Sequence, residues 1–167
     1  LVPDGERYRL GLKFLTLGGR IRDRNRFCSH ARTTVHEVAD EIDHMVAFVI
    51  REGLHGIFVF IENDHYGLRS HVPLGNRYPL HQNGSGKSIL AKLSDEEVDA
   101  YVDRTGLPTA TAGTIDTATE LREEIESVRD RGYATSKEER VEGVQSVAAA
   151  IENSKTGAIG AVTIIGA

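Results

Sequence analysis

The sequence predicts an α+β domain, an antiparallel sheet with helices on its faces, and three observations carry that expectation. Strand-like segments fall into two groups around a helical middle, the connectors within each group are short, and the helical middle carries helix-start signals. In the first group, residues 45–50, 57–61 and 66–72 are rich in β-branched or aromatic side chains and are separated by Glu52-Gly53 with Gly56, then by Asn63-Asp64. Connections that short imply antiparallel neighbours. In the middle, Ser94 precedes Glu97 by three residues and Thr117 precedes Glu120 by three, each ahead of helically spaced apolar residues, with Gly106 and Gly132 as stops. Strands return at 133–136, 146–152 and 159–165, the last two joined by a turn around 154–157.

Ahead of the first strand group, Pro3-Asp4-Gly5 reads as a turn and residues 7–12 as extended. A helix over 14–29 is weakened by Gly18 and Gly19 and reads as a linker. A clearer helix covers 30–43, where Ala31, Val35, Val38, Ala39 and Ile42 make one apolar stripe. These signals divide the chain into residues 1–29, the end of a preceding unit and a linker, and residues 30–167, the main domain. The opening on Leu1 without methionine and the close on the apolar Ile164-Ile165-Gly166-Ala167 suggest a fragment, with removal of the first methionine as a competing explanation for the start.

Composition bounds the function. A chain of 167 residues with 40% hydrophobic residues and no tryptophan suits one domain with its own core. No apolar run approaches the roughly 20 residues that span a bilayer, and no secretory signal is present, so the expected location is cytoplasmic, without a membrane partner. The single Cys28 has no cysteine to pair with, in keeping with a reducing compartment. A net charge of −5 repels phosphates and makes the chain as a whole a poor DNA-binding module. The one basic cluster, Arg20, Arg22, Arg24 and Arg26, reads as the solvated face of the connecting helix.

The most informative local feature is Asn83-Gly84-Ser85-Gly86-Lys87-Ser88 at the start of an apolar helical run. Backbone amides without intrahelical partners, together with the positive end of the helix dipole, suit a carboxylate or phosphate. As a nucleotide-binding P-loop the motif is half complete: His81 stands where the first glycine belongs, and residues 76–80 do not read as a buried strand, with Pro79 interrupting. A second face is predicted by alternation. Ala161, Thr163 and Ile165 share one side of their strand, and Ser146, Ala148 and Ala150 share one side of theirs. Small side chains leave volume there, and each hydroxyl needs a partner, either a bound effector or neighbouring backbone and water.

The order of many short pieces identifies a resemblance. Tyr8-Arg9-Leu10-Gly11, Leu17-Gly18, Pro79-Leu80-His81, Gly86-Lys87, Leu90-Ala91, Gly106-Leu107-Pro108, Thr111, Thr114-Ile115, residues 121–124, Arg131-Gly132-Tyr133-Ala134, Glu138-Glu139, Glu142-Gly143-Val144 and Val147-Ala148-Ala149 are spaced as in the effector-binding domain of the IclR family of transcription regulators, which the chain resembles nearly end to end. The resemblance implies a GAF-like fold. It also implies a winged helix-turn-helix ahead of this region, whose last wing strand ends near Tyr8, operator DNA as that domain's partner, and a dimer or a dimer of dimers. Effector contacts in the family map onto Gly84, Ser85, Ser136, Ser146, Thr163 and Ile165, with Ser70 on the 66–72 strand lining the cavity. The chain departs from the pattern where Ser136 replaces a frequent acid, Ser146 a frequent cysteine, Ala150 a frequent proline, and Ile165 a residue that can be polar. Those departures imply a less polar pocket, for a small organic effector with a carboxylate facing Gly84-Ser85 and an aliphatic or aromatic body. No cofactor or metal is implied, since the cysteine expected at Ser146 is missing.

Catalysis is the competing class. The 7 histidines form no constellation, and His81 beside the glycine-rich start reads as a residue that orients that loop. Glu138, Glu139 and Glu142 read as a solvated loop rather than a metal patch. A GAF-like sensor in another signalling context and a phosphate-binding enzyme using the GSGKS loop are the alternatives to a regulator's sensor domain.

Overall fold

A computed structural model describes residues 1–63 and 73–166. The predicted strand over 66–72 and the expected effector contact Ser70 lie outside the described residues. A hairpin, β1 (Val2–Asp4) and β2 (Arg7–Arg9), turns at Gly5 and leads into α1 (Lys13–Arg24), none of whose residues is buried. The Asn25 side chain ends the linker: its Oδ1 accepts from the amides of Phe27 and Cys28 and starts α2 (Arg26–Glu41). The helix therefore begins earlier than the expected residue 30, because Asn25 caps it. Cys28 lies in the core rather than in the linker, and burial pushes its thiol pKa up.

The domain is built on one six-stranded sheet, all antiparallel, in the order β5-β4-β3-β8-β7-β6. The strands are β3 (Met45–Glu52), β4 (His55–Glu62), β5 (Arg77–Pro79), β6 (Ala134–Lys137), β7 (Gln145–Asn153) and β8 (Ala158–Gly166). β3 sits near the middle of the sheet, and its apolar run from Met45 to Val49 is buried on both faces. Within 76–80, Arg77-Tyr78-Pro79 forms a short edge strand rather than a buried one, a place where proline is tolerated. Gly160 of β8 lies where an added Cβ would meet the Phe48 ring at 2.5 Å and the Val49 carbonyl at 2.7 Å, so only glycine lets these layers close.

α2 covers one face, packing Ala31, Val35 and Ala39 on Val46, Phe48 and Phe60. The other face carries the larger core and three helices, α3 (Gly84–Leu90), α4 (Asp95–Thr105) and α5 (Ala118–Arg131). Ser94 makes the full reciprocal capping box with Glu97, and Thr117 accepts from the Glu120 amide. Gly106 and Gly132 close α4 and α5 in the left-handed conformation that glycine adopts without penalty. On the α2 side of β7, Val147 and Ile151 remain exposed.

Candidate effector site

The floor of the site follows from strand register. Ser136 of β6 pairs with Ser146 of β7, which pairs with Ile165 of β8; Ala134, Ala148 and Thr163 form the next row. All six therefore share the face that α3 covers. Small residues at five of these positions let α3 approach closely. At Gly84 an added Cβ would stand 3.0 Å from Ser146 Oγ and 3.4 Å from the Ala134 carbonyl.

The roof is the start of α3, and its geometry explains the glycine pattern. A one-turn 3-10 helix, Leu80–Gln82, precedes it. An added Cβ on Gly86 would lie 1.9 Å from the Leu80 carbonyl oxygen, so this glycine exists for backbone-to-backbone packing. Asn83 caps the helix through its Oδ1, which accepts from the Gly86 amide at 2.9 Å. One of the amides expected to await a ligand is thus already satisfied. Ser85 Oγ donates to Asn83 Oδ1 at 2.9 Å, so the Tyr78 hydroxyl at 2.8 Å must be the donor to Ser85. Burial holds the Tyr78 phenol protonated by pushing its pKa up.

Lys87 of the GSGKS run does not face an open phosphate site. Its ammonium is buried and pairs with Glu139 at 2.7 Å and Glu124 at 3.2 Å. Glu139 is buried too, which corrects its reading as part of a solvated loop. Burial raises its carboxyl pKa against the pull of Lys87, and its Oε2 has no hydrogen-bond partner. His81 is closed off as well. Its Nε2 lies 3.0 Å from the Pro108 carbonyl, which can only accept, so Nδ1 is the acceptor facing the Tyr101 hydroxyl at 2.7 Å. The Tyr101 oxygen also accepts the His81 amide at 3.1 Å. Burial lowers the His81 pKa and keeps the ring neutral, with both nitrogens occupied.

Between floor and roof lies a cavity of ≈ 40 Å³. Ser85, Ser136, Ser146, Thr163 and Ile165 all line it, whereas Gly84 is spent on helix–sheet contact. The Thr163 hydroxyl donates to the Val147 carbonyl at 3.3 Å, so backbone is its partner. Among the described residues, the hydroxyls of Ser136 and Ser146 have no partner. At about 10–15 Å³ per water centre, the space holds a few waters rather than an organic acid. Phe58, Val141, Val144 and Arg140, which project from β4 and from the β6–β7 connection, fill the rest. Arg140 is the residue that sequence reasoning missed. Its guanidinium lies 4.9 Å over the Tyr78 ring and donates to Gln82 Oε1 at 3.1 Å. An arginine inside an acidic run was the available signal, but its placement depends on a loop folding back across the sheet.

The fold and this cavity define a GAF-like α+β domain with a small internal cavity roofed by a helix start. Among the described residues no group of three His, Cys, Asp or Glu side chains is placed to hold a metal ion, and no helix is long and apolar enough to cross a membrane.

The chain belongs to the IclR family: the model for the bacterial transcriptional regulator IclR C-terminal domain matches residues 22–167. It is 30% identical over 159 residues to the HTH-type transcriptional regulator KipR of Bacillus subtilis (strain 168), covering 95% of this chain and 64% of KipR. The Thermotoga maritima IclR crystal structure matches 99% of this chain and 67% of its own length, at 25% identity and a TM-score of 0.88. A double mutant of the PobR transcription factor inducer-binding domain from Acinetobacter, solved with 3-hydroxybenzoic acid, shares the fold at 24% identity and a TM-score of 0.70, covering 81% of this chain and 79% of that one. The chain spans less than two thirds of KipR, so KipR carries sequence that has no counterpart here.

Proposed function

We propose that this chain is the effector-sensing and oligomerising part of a cytoplasmic, DNA-binding transcription regulator, and that ligand in the α3–sheet cavity changes operator affinity. The observation that carries this reading is the cavity itself, bounded by Ser85 and Ile165 and holding the unpartnered Ser136 and Ser146 hydroxyls. These hydroxyls have no partner among the described residues, and a bound effector supplies one. The PobR complex, an inducer-binding domain solved with an aromatic acid on the same fold, agrees with a small organic acid as the effector class. Operator DNA is contacted by an N-terminal helix-turn-helix domain, since this chain is acidic. Residues 1–25 then form the wing end and linker, and the unburied α1, with Phe14, Leu15, Leu17 and Ile21 exposed, packs against a second copy in a homodimer or tetramer. This reading gives the chain no catalytic role, and the structural ties of His81 and Lys87 support it.

A ligand reaches DNA only by preferring one of two arrangements of the assembly. The cavity is too small for an organic acid in the arrangement described here, so binding must move the Arg140–Val144 side of its wall. Thermal shift tests the reading. A carboxylate from a panel of aromatic and aliphatic acids raises the melting midpoint by mass action, and Ser85→Trp abolishes the rise. Stabilisation by magnesium and ATP instead contradicts it.

A further inference from the structure

Arg140 is the one charged residue among those lining the cavity, and among the described residues no carboxylate pairs with it. By contrast Lys87, Arg129 and Arg131 each have a carboxylate, at 2.7 Å in Glu139, 2.7 Å in Asp95 and 2.8 Å in Glu124. Among the described residues Arg140 has only the neutral Gln82 amide and the face of Tyr78. Among the described residues its other N–H groups have no protein acceptor, and desolvation lowers its pKa, the sign of a cation held partly out of water. Leaving such a charge unpaired destabilises the fold unless something else neutralises it.

The group that completes Arg140 is an anion presented inside the cavity. A guanidinium offers a planar fork that matches a carboxylate in two parallel bonds. One cation calls for one negative charge. Around it the wall is apolar, with Phe58, Val141, Val144 and Ile165. We infer that Arg140 is the effector-selecting residue of this domain: it receives the carboxylate of a monoanionic organic acid whose apolar body lies against Phe58, Val144 and Ile165. This assignment rests on the effector reading of the cavity given above. Occupation draws the guanidinium off Tyr78 and Gln82, which also supplies the room that the cavity lacks when empty.

Calorimetric titration of the chain at pH 7.5 tests this with benzoate, 3-hydroxybenzoate and hexanoate, each beside its neutral carboxamide. The expected result is binding of at least one acid, with its amide weaker by about 10-fold or more, the scale of a lost charge-assisted bond. Arg140→Met removes that preference, and Arg140→Lys keeps part of it. The acid-to-amide comparison on the unmutated chain stands even where a variant folds poorly. Acid and amide binding equally, or Arg140→Met retaining the preference, while Ser146→Trp still abolishes binding, overturns the Arg140 assignment and leaves the cavity reading intact. Binding of no acid in the panel, or binding indifferent to Ser146→Trp, overturns the cavity reading and the Arg140 assignment with it.

Discussion

Gly86→Ala separates two explanations of the GSGKS glycines. If glycine is there to let a phosphate approach, alanine leaves folding untouched. If it is there because α3 is packed against the preceding turn, alanine is destructive. The added methyl lies 1.9 Å from the Leu80 carbonyl oxygen and 2.5 Å from its carbon, so one backbone must retreat by about 1.5 Å to restore an ordinary 3.4 Å contact. Leu80 is fully buried and its neighbour His81 is tied to Tyr101 and Pro108, which leaves the turn little freedom. Overpacking against backbone costs about 3 kcal/mol, and the better helix propensity of alanine returns about 1 kcal/mol. The net loss of about 2 kcal/mol lowers the melting midpoint by about 4–8 °C at this chain length. Circular dichroism melting of the variant reads it. Gly18→Ala, where nothing lies within 4 Å of an added Cβ, is the control and leaves the midpoint unchanged or higher. A Gly86→Ala protein that melts at or above the parent temperature refutes the packing explanation.

Other perturbations have equally definite signs. Lys87→Met strands Glu139 in the interior and costs about 3–5 kcal/mol in denaturant unfolding, most of which a Glu139→Leu change restores. The folded pKa of Glu139 is raised from 4.5, so its favourable contribution is complete below that value and declines as pH rises through the folded value; the Lys87→Met deficit is accordingly larger at pH 8 than at pH 5. His81 behaves oppositely. Its folded pKa is lowered from 6.5, so the stability it supports is present above that value and is lost as pH falls through the folded one, and His81→Asn flattens the stability profile between pH 7 and pH 5. Tyr101→Phe removes the hydroxyl that serves both the His81 amide and its Nδ1, at a cost of about 1–3 kcal/mol in urea melts.

The legible parts of this protein were those governed by local periodicity. Alternation put Ser146, Ala148 and Ala150 on one side of β7 and Ala161, Thr163 and Ile165 on one side of β8, and cross-strand register then set Ser146 beside Ile165 and Ala148 beside Thr163. The Ser94 box and the Gly106 and Gly132 stops were equally local. Long-range contacts were not legible. The Lys87–Glu139 bond joins residues 52 apart in sequence, and the Arg140–Gln82 bond joins residues 58 apart. Nothing in composition announces that an acidic loop turns one glutamate inward to hold a lysine and places the next residue over a tyrosine ring. The size of the cavity was similarly hidden. Small sheet residues do leave a hollow, but Phe58 and the loop residues Val141 and Val144 take back most of it.

Amide NMR of the isotopically labelled chain, titrated with an acid that raises its melting midpoint, tests the central claim most directly. The account predicts that the largest shifts fall on Ser85, Ser136, Ser146, Arg140 and Ile165, on both sides of one space. Shifts confined to the outer side of β7 around Val147 and Ile151, or to α1, would contradict it.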